Sequence, residues 1–436
     1  MIRFLLAALA VLTISLPARA IEIQEVTSPG GIKAWLVEEH SIPFTALEIR
    51  FKGGASLDRD GKRGAIHLMA GLIEEGTGEL DSTTFAAARE ALAASYDFDV
   101  YDDSFTISAQ FLTENQPEAL ALLRSAVVEP RFDQPSIDRV RGQVVSIIKS
   151  DEKDPSAIAR RAFTKQAFGD HPYGSPKEGT IESLNALTRD DIVAAHQDVF
   201  ARDRLFVGAV GDITAEQLGV VLDDLLGDLP ATGAPLPQKA EIGLTGAQTV
   251  VPFDVPQSTA IFGHEGIDRH DPDFFPAYVM NQVLGAGGFG SRLMEEVREK
   301  RGLTYGVSSF LVPKDHGYLI MGQVASSNDR IAEAIDVIRD EWAKMAADGV
   351  TEEELADAKK YLTGAYPLRF DGNSTIAGIL VGMQMDDLPI DYVNTRNDKV
   401  NAVTLDDIKR VAARLLKPDA LQFVVVGQPE GFESTN

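Results

Sequence analysis

Thr188-Arg-Asp-Asp-Ile192 opens a helical stretch that leads into Leu205-Phe-Val-Gly-Ala-Val-Gly211. At an offset of 216 residues the pattern returns: Thr404-Leu-Asp-Asp-Ile408 leads through a second helical stretch into Leu421-Gln-Phe-Val-Val-Val-Gly427. The separation from Thr to Gly is 23 residues in both copies (211 − 188 and 427 − 404), and Asp203 matches Asp419 between them. A threonine side chain accepts hydrogen bonds from the free N–H groups of a first helical turn, so each copy reads as an N-capped helix. The apolar run ending in Gly reads as a buried strand. Cap, helix and strand at equal spacing mark a duplicated domain.

Between the copies lies Asp228-Leu-Pro230-Ala-Thr-Gly-Ala-Pro235-Leu-Pro237-Gln-Lys239, whose prolines and small residues have linker composition. The expected organisation is therefore a first domain over residues 21–230, a linker over 231–245 and a second domain over 246–436. Strand-like runs occupy 32–37, 45–51, 104–111, 249–253, 259–263 and 317–324, and helical patterns occupy 82–94, 136–149, 329–347 and 352–363. The last helix starts with the capping box Thr351-Glu-Glu-Glu354. Adjacent strands followed by runs of helices predict an α+β class rather than a doubly wound parallel sheet.

Residues 1–20 read as a secretory signal: Arg3 supplies a positive start, Phe4 to Leu16 an apolar run, and Pro17-Ala18-Arg19-Ala20 a small-residue cleavage site. Thirteen apolar residues are too few to span a bilayer, and no later stretch is long enough, so no membrane anchor is expected after cleavage. The expected location is secreted, periplasmic. The chain has no cysteine, which removes disulfides, thiolate ligands and a Cys nucleophile. The formal charge is −25, and loss of Arg3 and Arg19 with the signal makes it −27. That excess argues against nucleic acid or an anionic membrane as partner, and suits a soluble protein or one that attracts basic peptides.

Two segments could carry chemistry. In Gly64-Ala-Ile-His67-Leu-Met-Ala70-Gly71-Leu-Ile-Glu74-Glu75-Gly76-Thr77, His67 lies on a helical pattern, but Ala70 and Gly71 stand three and four positions on, where a helix would place metal-site partners. Glu74 and Glu75 lie about 10–12 Å further along a continuous helix, too far to share an ion with His67. His171, His196, His264 and His316 are isolated, and no three ligands converge. The second segment is Leu284-Gly285-Ala-Gly287-Gly288-Phe-Gly290-Ser291-Arg292-Leu293-Met-Glu-Glu-Val297-Arg298-Glu-Lys-Arg-Gly302-Leu303-Thr304-Tyr305. Residues 285–290 match G-x-G-x-x-G, but helical apolar spacing precedes them where a dinucleotide site needs a strand. The glycines read instead as a flexible connection between helices. No G-x-S-x-G elbow with placed Asp and His is present.

Together these segments resemble the insulinase/pitrilysin (inverzincin) zinc peptidases, over nearly all of residues 25–430. The family's signature is His-x-x-Glu-His on a helix, with a third ligand some seventy-five residues on. Here His67 matches, Ala70 and Gly71 replace the Glu and second His, and Ile147 falls at the third ligand position. The second segment is similar to the family's second-domain signature, a Gly-rich loop, Ser-Arg-Leu and Arg-x-x-x-Gly-Leu-x-Tyr. The resemblance implies two homologous α+β domains, each a mainly antiparallel sheet packed with helices, facing each other across a cavity. It implies no catalytic residue and no metal ligand set in this chain, and substrate contact through Arg298 and Tyr305. It further implies a heterodimer in which an intact His-x-x-Glu-His homologue holds the zinc and this chain closes the cavity around a peptide or unfolded polypeptide. A peptide-binding or assembly scaffold without a proteolytic partner is the alternative. An autonomous peptidase is opposed by Ala70, Gly71 and Ile147.

Overall fold

The computed structural model describes residues 21–435, so the expected signal segment lies outside the described residues. Strands β1 (Gln24–Thr27), β2 (Lys33–Glu38), β3 (Phe44–Lys52), β4 (Ser95–Val100), β5 (Ser104–Leu112) and β6 (Leu205–Gly211) form one sheet in the order β1-β2-β6-β3-β5-β4. Strands β7 (Gln248–Pro252), β8 (Gln257–Glu265), β9 (Val307–Lys314), β10 (Gly317–Ser327) and β11 (Gln422–Gly427) form another in the order β9-β10-β8-β11-β7. Without the edge strand β1, the two orders coincide: β2-β6-β3-β5-β4 against β7-β11-β8-β10-β9. Pairing sense coincides too, since β2 with β6 and β7 with β11 are parallel. Every other pair among these strands is antiparallel. The duplication is therefore a whole sheet, with the two Gly-ending runs, β6 and β11, in equivalent places.

The helices that matter for the sites are α1 (Ala65–Ala70), α2 (Gln134–Asp151), α3 (Pro155–Phe168), α4 (Arg189–Val199), α5 (Phe274–Asn281), α6 (Ile331–Asp348), α7 (Asn373–Met385) and α8 (Leu405–Leu415). Thr188 and Thr404 cap α4 and α8 with the same reciprocal box, Asp191 and Asp407 returning bonds to the cap residues. The box at Thr351 forms with Glu354 as its spacing predicts. Alternation places Leu47, Ile49 and Phe51 of β3 in the first core, and that core continues into α1, α2 and α4. The second core is built on β8, β10 and β11 with Trp342 of α6 at its centre. Among the described residues no helix is long and apolar enough to cross a membrane.

Each half also covers the other's sheet. Ala159, Phe163 and Ala167 of α3 pack on Ile261, Leu319, Met321, Val424 and Val426 of the second sheet. Reciprocally, Ala377 and Leu380 of α7 pack on Ala46 and Val210 of the first. The 216-residue offset carries α3 onto 371–384, nearly the span of α7, so the exchange obeys the internal symmetry. Periodicity shows which face of 155–168 is apolar, but not whose sheet it covers. The tips of two equivalent hairpins also meet: Lys314 pairs with Asp102, Lys52 with Asp315 at 3.1 Å, and Asp103 takes the Tyr173 hydroxyl and the Asp315 N–H.

Candidate functional site

The resemblance directs attention first to α1. Its start is held by Asp58, whose carboxylate accepts from the Gly64 and Ile66 N–H groups at 2.8 and 2.9 Å. Burial raises the Asp58 pKa to about 6 although Arg63 and these bonds oppose it. Gly64 has φ 94°, and a Cβ there would come within 2.4 Å of the Glu178 carbonyl oxygen, so only glycine fits. The helix is shorter than the sequence suggests. It stops at Ala70, and Glu74 and Glu75 sit on a separate turn, bonded to Arg89 and Arg139 respectively. The continuous helix assumed in spacing these carboxylates from His67 does not form, because Gly71 caps α1. Both carboxylates are nevertheless committed to arginines.

His67 is half-buried, and its Nδ1 has no partner among the described residues. Burial is the main cause that holds its pKa below the ordinary histidine range, with Glu178 opposing and Lys177 and Arg63 assisting. Ala70 is packed into the core, and a Cβ at Gly71 would meet Val140 Cγ1 of α2 at 3.0 Å. Further along α2, Val144 and Ile148 are buried while Ile147 stands 51% exposed. Of the four family positions, only His67 carries an atom that can bind a cation. A zinc ion needs about four donors, three from protein even in open sites. These residues do not fit zinc.

Three other histidines serve packing or turns. His171 accepts from the Tyr173 N–H and bonds the Gln238 carbonyl at 3.0 Å, and His196 bonds the Val127 carbonyl at 2.8 Å. His264 bonds the Glu265 carbonyl through Nδ1 and accepts from the Trp342 indole at Nε2, 2.9 Å. The described residues bring one His/carboxylate group into metal-binding proximity, Asp103, Asp315 and His316. It lies at the joint between hairpin tips, where Lys52 and Lys314 already supply positive charge. Sequence reading missed this cluster because its members come from different halves.

Arg298 and Tyr305 are brought together. The Gly-rich loop is bracketed by two π-helical stretches, Gln282–Ala286 and Met294–Glu299, and the second carries Arg298. Single π turns accumulate at functional sites, since the widened turn sacrifices regular hydrogen bonding. The Arg298 guanidinium bonds Glu299 Oε1 at 2.5 Å and lies 4.6 Å from the ring centre of Phe289, itself an exposed residue of the loop. Tyr305 is 88% exposed. Its neighbours explain why it is held outward: Leu303 and Thr304 are buried, and Thr304 Oγ1 bonds the Gly306 N–H and the Ala325 carbonyl. Arg330 fastens the same loop through the carbonyls of Arg301 and Gly302. Arg298 and Tyr305 line one open cleft of about 470 Å³, with Ala325 to Ser327 of β10 along its floor. Such a cleft offers a cation and a phenolic donor to a carboxylate or peptide carbonyl.

Comparison with known proteins bears on both regions. Residues 34–181 match the family described as insulinase (peptidase family M16), and residues 186–362 match the peptidase M16 inactive domain. The chain belongs to the M16 peptidase family. It is similar to the "non-peptidase homolog YmxG" of Helicobacter pylori, at 27% identity over 97% of this chain and 98% of that one. It is also similar to the "uncharacterized zinc protease ML0855" of Mycobacterium leprae, at 26% identity over 92% and 90%. Among solved structures, a peptidase M16 inactive domain from Pseudomonas fluorescens superposes with TM-score 0.88 and 28% identity, covering 94% of this chain and 99% of that one. A protease from Helicobacter pylori shares the fold at TM-score 0.84 and 17% identity, over 93% and 100%. With no ligand set at the metal positions, this M16 chain is an inactive homologue.

Proposed function

We propose that the chain is the non-catalytic subunit of a secreted, periplasmic M16 zinc peptidase. Its partner is an intact His-x-x-Glu-His homologue that holds the zinc, and its substrate is a peptide or unfolded polypeptide. In this reading the chain closes the peptide cavity, Arg298 holds a substrate carbonyl or carboxylate, and Tyr305 donates a hydrogen bond. The observation that carries the reading is the asymmetry between halves. Of the metal positions only His67 carries a donor, while Arg298 and an outward-held Tyr305 share a cleft. A chain kept only for its fold gains nothing from a tyrosine 88% exposed on a fastened loop. The second reading, a peptide-binding or assembly scaffold without a proteolytic partner, is favoured by the Arg298–Glu299 pair, which occupies the cation internally.

The deciding experiment is peptide hydrolysis, with bound zinc quantified, for this chain alone and mixed with an intact M16 homologue from the same cell. The expected outcome is no turnover alone, faster turnover by the homologue when mixed, and loss of that stimulation in Arg298→Ala. No effect on the homologue favours the scaffold, and stoichiometric zinc with hydrolysis by this chain alone refutes both readings.

A further inference from the structure

Among the described residues the fully buried charged side chains are matched with one exception. Glu48 pairs with Arg50, Asp198 with Arg59, Arg204 with Asp203, Asp273 with Arg410, and Glu341 with Lys344. Arg396, on the helix Tyr392–Ala402, is equally buried at 5% exposure and has no anion within ion-pair distance among the described residues. Its guanidinium bonds only neutral groups: the Leu362 carbonyl at 2.7 Å, Asn397 Oδ1 at 3.0 Å and the Tyr278 hydroxyl at 3.2 Å. The rings of Tyr366 and Tyr278 lie 4.6 and 5.4 Å from it. An unmatched buried cation is expensive, and an anion bound beside it would offset that cost.

Arg396 borders a cavity of about 410 Å³ between α5, α7 and its own helix. The one acidic residue in the wall, Asp386, is engaged by Arg269 at 3.4 Å. Arg369, also in the wall, is exposed and makes no side-chain hydrogen bond or ion pair among the described residues. Three arginines against one aspartate make this a positive spot on a chain of net charge −25. Much of the remaining surface is aromatic, from Phe274, Phe275, Tyr278, Tyr366 and Tyr392. Gly378 and Gly382 of α7 also line it.

We propose that this cavity binds a carboxylate carried on an apolar or aromatic body, with Arg396 and Arg369 receiving the carboxylate and the aromatic rings covering the body. The planar guanidinium matches a carboxylate in two parallel bonds, and the volume and apolar lining are those of a small-ligand site. The cavity shares no wall residue with the Arg298–Tyr305 cleft, so the proposal stands apart from the subunit reading. Two sources carry this chemistry, the C-terminal end of a peptide and a free aromatic acid.

The test is titration calorimetry of the full chain with N-acetyl-phenylalanine, its amide and inorganic phosphate. Saturable one-to-one binding of the acid is expected, with the amide weaker by about tenfold, the ratio one charge-assisted hydrogen bond supplies. Arg369→Ala should weaken the acid by about the same factor and leave the amide unchanged, which a misfolded cavity would not do. Arg396→Lys, checked for folding by circular dichroism, should weaken the acid as well. A decapeptide ending in phenylalanine that binds as tightly as the acid identifies a chain end as the ligand, and its exclusion identifies a free acid. Equal binding of acid and amide, equal competition by phosphate, or no saturable binding overturns the proposal.

Discussion

The two halves carry the same sheet and differ in what is mounted on it. In the first half the family's metal positions form no donor set, and only one of them is buried in the core. Ala70 is part of the core, Gly71 abuts Val140, and Ile147 is an exposed side chain on a regular helix. In the second half two π-helical stretches place Val283, Leu284, Met294 and Val297 in the core and also carry outward features that packing does not need: an exposed Phe289, the Arg298–Glu299 pair and an exposed Tyr305. Where large side chains such as Phe289 and Tyr305 stay exposed beside a packed but irregular segment, a constraint other than stability is acting.

The contrast between the halves is sharpest if each is a separable unit, and the exchanged helices are where the molecule joins them. Phe163 belongs to the first half by sequence and is fully buried on the second sheet. Phe163→Ala should cost about 3–5 kcal/mol, the usual loss for emptying a buried aromatic site. The chain has two tryptophans, Trp35 in β2 and Trp342 in α6, one reporting on each sheet. Urea unfolding of Trp35→Phe and Trp342→Phe backgrounds should show both probes shifting together to lower urea. If only Trp342 shifts, the halves fold independently and the exchange is merely a contact.

That exchange also marks the limit of what sequence shows. The duplication was legible because Thr188 and Thr404, and Gly211 and Gly427, do local jobs at fixed spacing, and cap and strand chemistry does not depend on distant residues. The Arg298–Tyr305 pairing was legible only through family resemblance, since nothing in residues 284–305 tells a surface arginine from a site arginine. The stop of α1 at Ala70 was missed because the apolar pattern continues through Leu72 and Ile73 while the backbone turns at Gly71. The Arg396 cavity was invisible for a different reason. Its walls come from residues 269–278 and 366–396, and no local pattern distinguishes a buried arginine without an anion from one with it.

A sharper contrast lies in how the second sheet treats His264. The imidazole is 1% exposed, neutral by its bonding to Glu265 and Trp342, and burial brings its pKa down to about 4. In the unfolded chain the value is near 6.5, so between the two the unfolded state binds the extra proton. The contribution of His264 is therefore complete above about pH 6.5 and is lost as pH falls toward 4, up to about 3 kcal/mol in all. Asp58 and Asp103, both raised by burial to about 6, act in the opposite sense. Comparing wild type with His264→Gln cancels them, because both proteins contain both aspartates. The stability lost between pH 7 and pH 4.5, from urea unfolding, should be about 2–3 kcal/mol greater for wild type. Equal losses would mean that His264 is protonated in the folded state or reaches water.

The smallest expected effect bears most directly on the two sites. If Arg298 and Tyr305 are retained for contact with another molecule, the isolated fold should not need them. Tyr305→Phe removes only a solvated hydroxyl, and Arg298→Ala removes an exposed ion pair and a stacking contact with another exposed side chain. Each should change unfolding stability by less than about 0.5 kcal/mol, as surface substitutions do. The control is Thr304→Val beside them, whose buried hydroxyl bonds the Gly306 N–H and the Ala325 carbonyl and should cost about 1–3 kcal/mol when removed. A loss above about 1 kcal/mol for Arg298→Ala would make the Phe289–Arg298–Glu299 cluster a structural clasp on the Gly-rich loop. The exposed features of the second half would then serve its own fold, and the contrast between the halves would disappear.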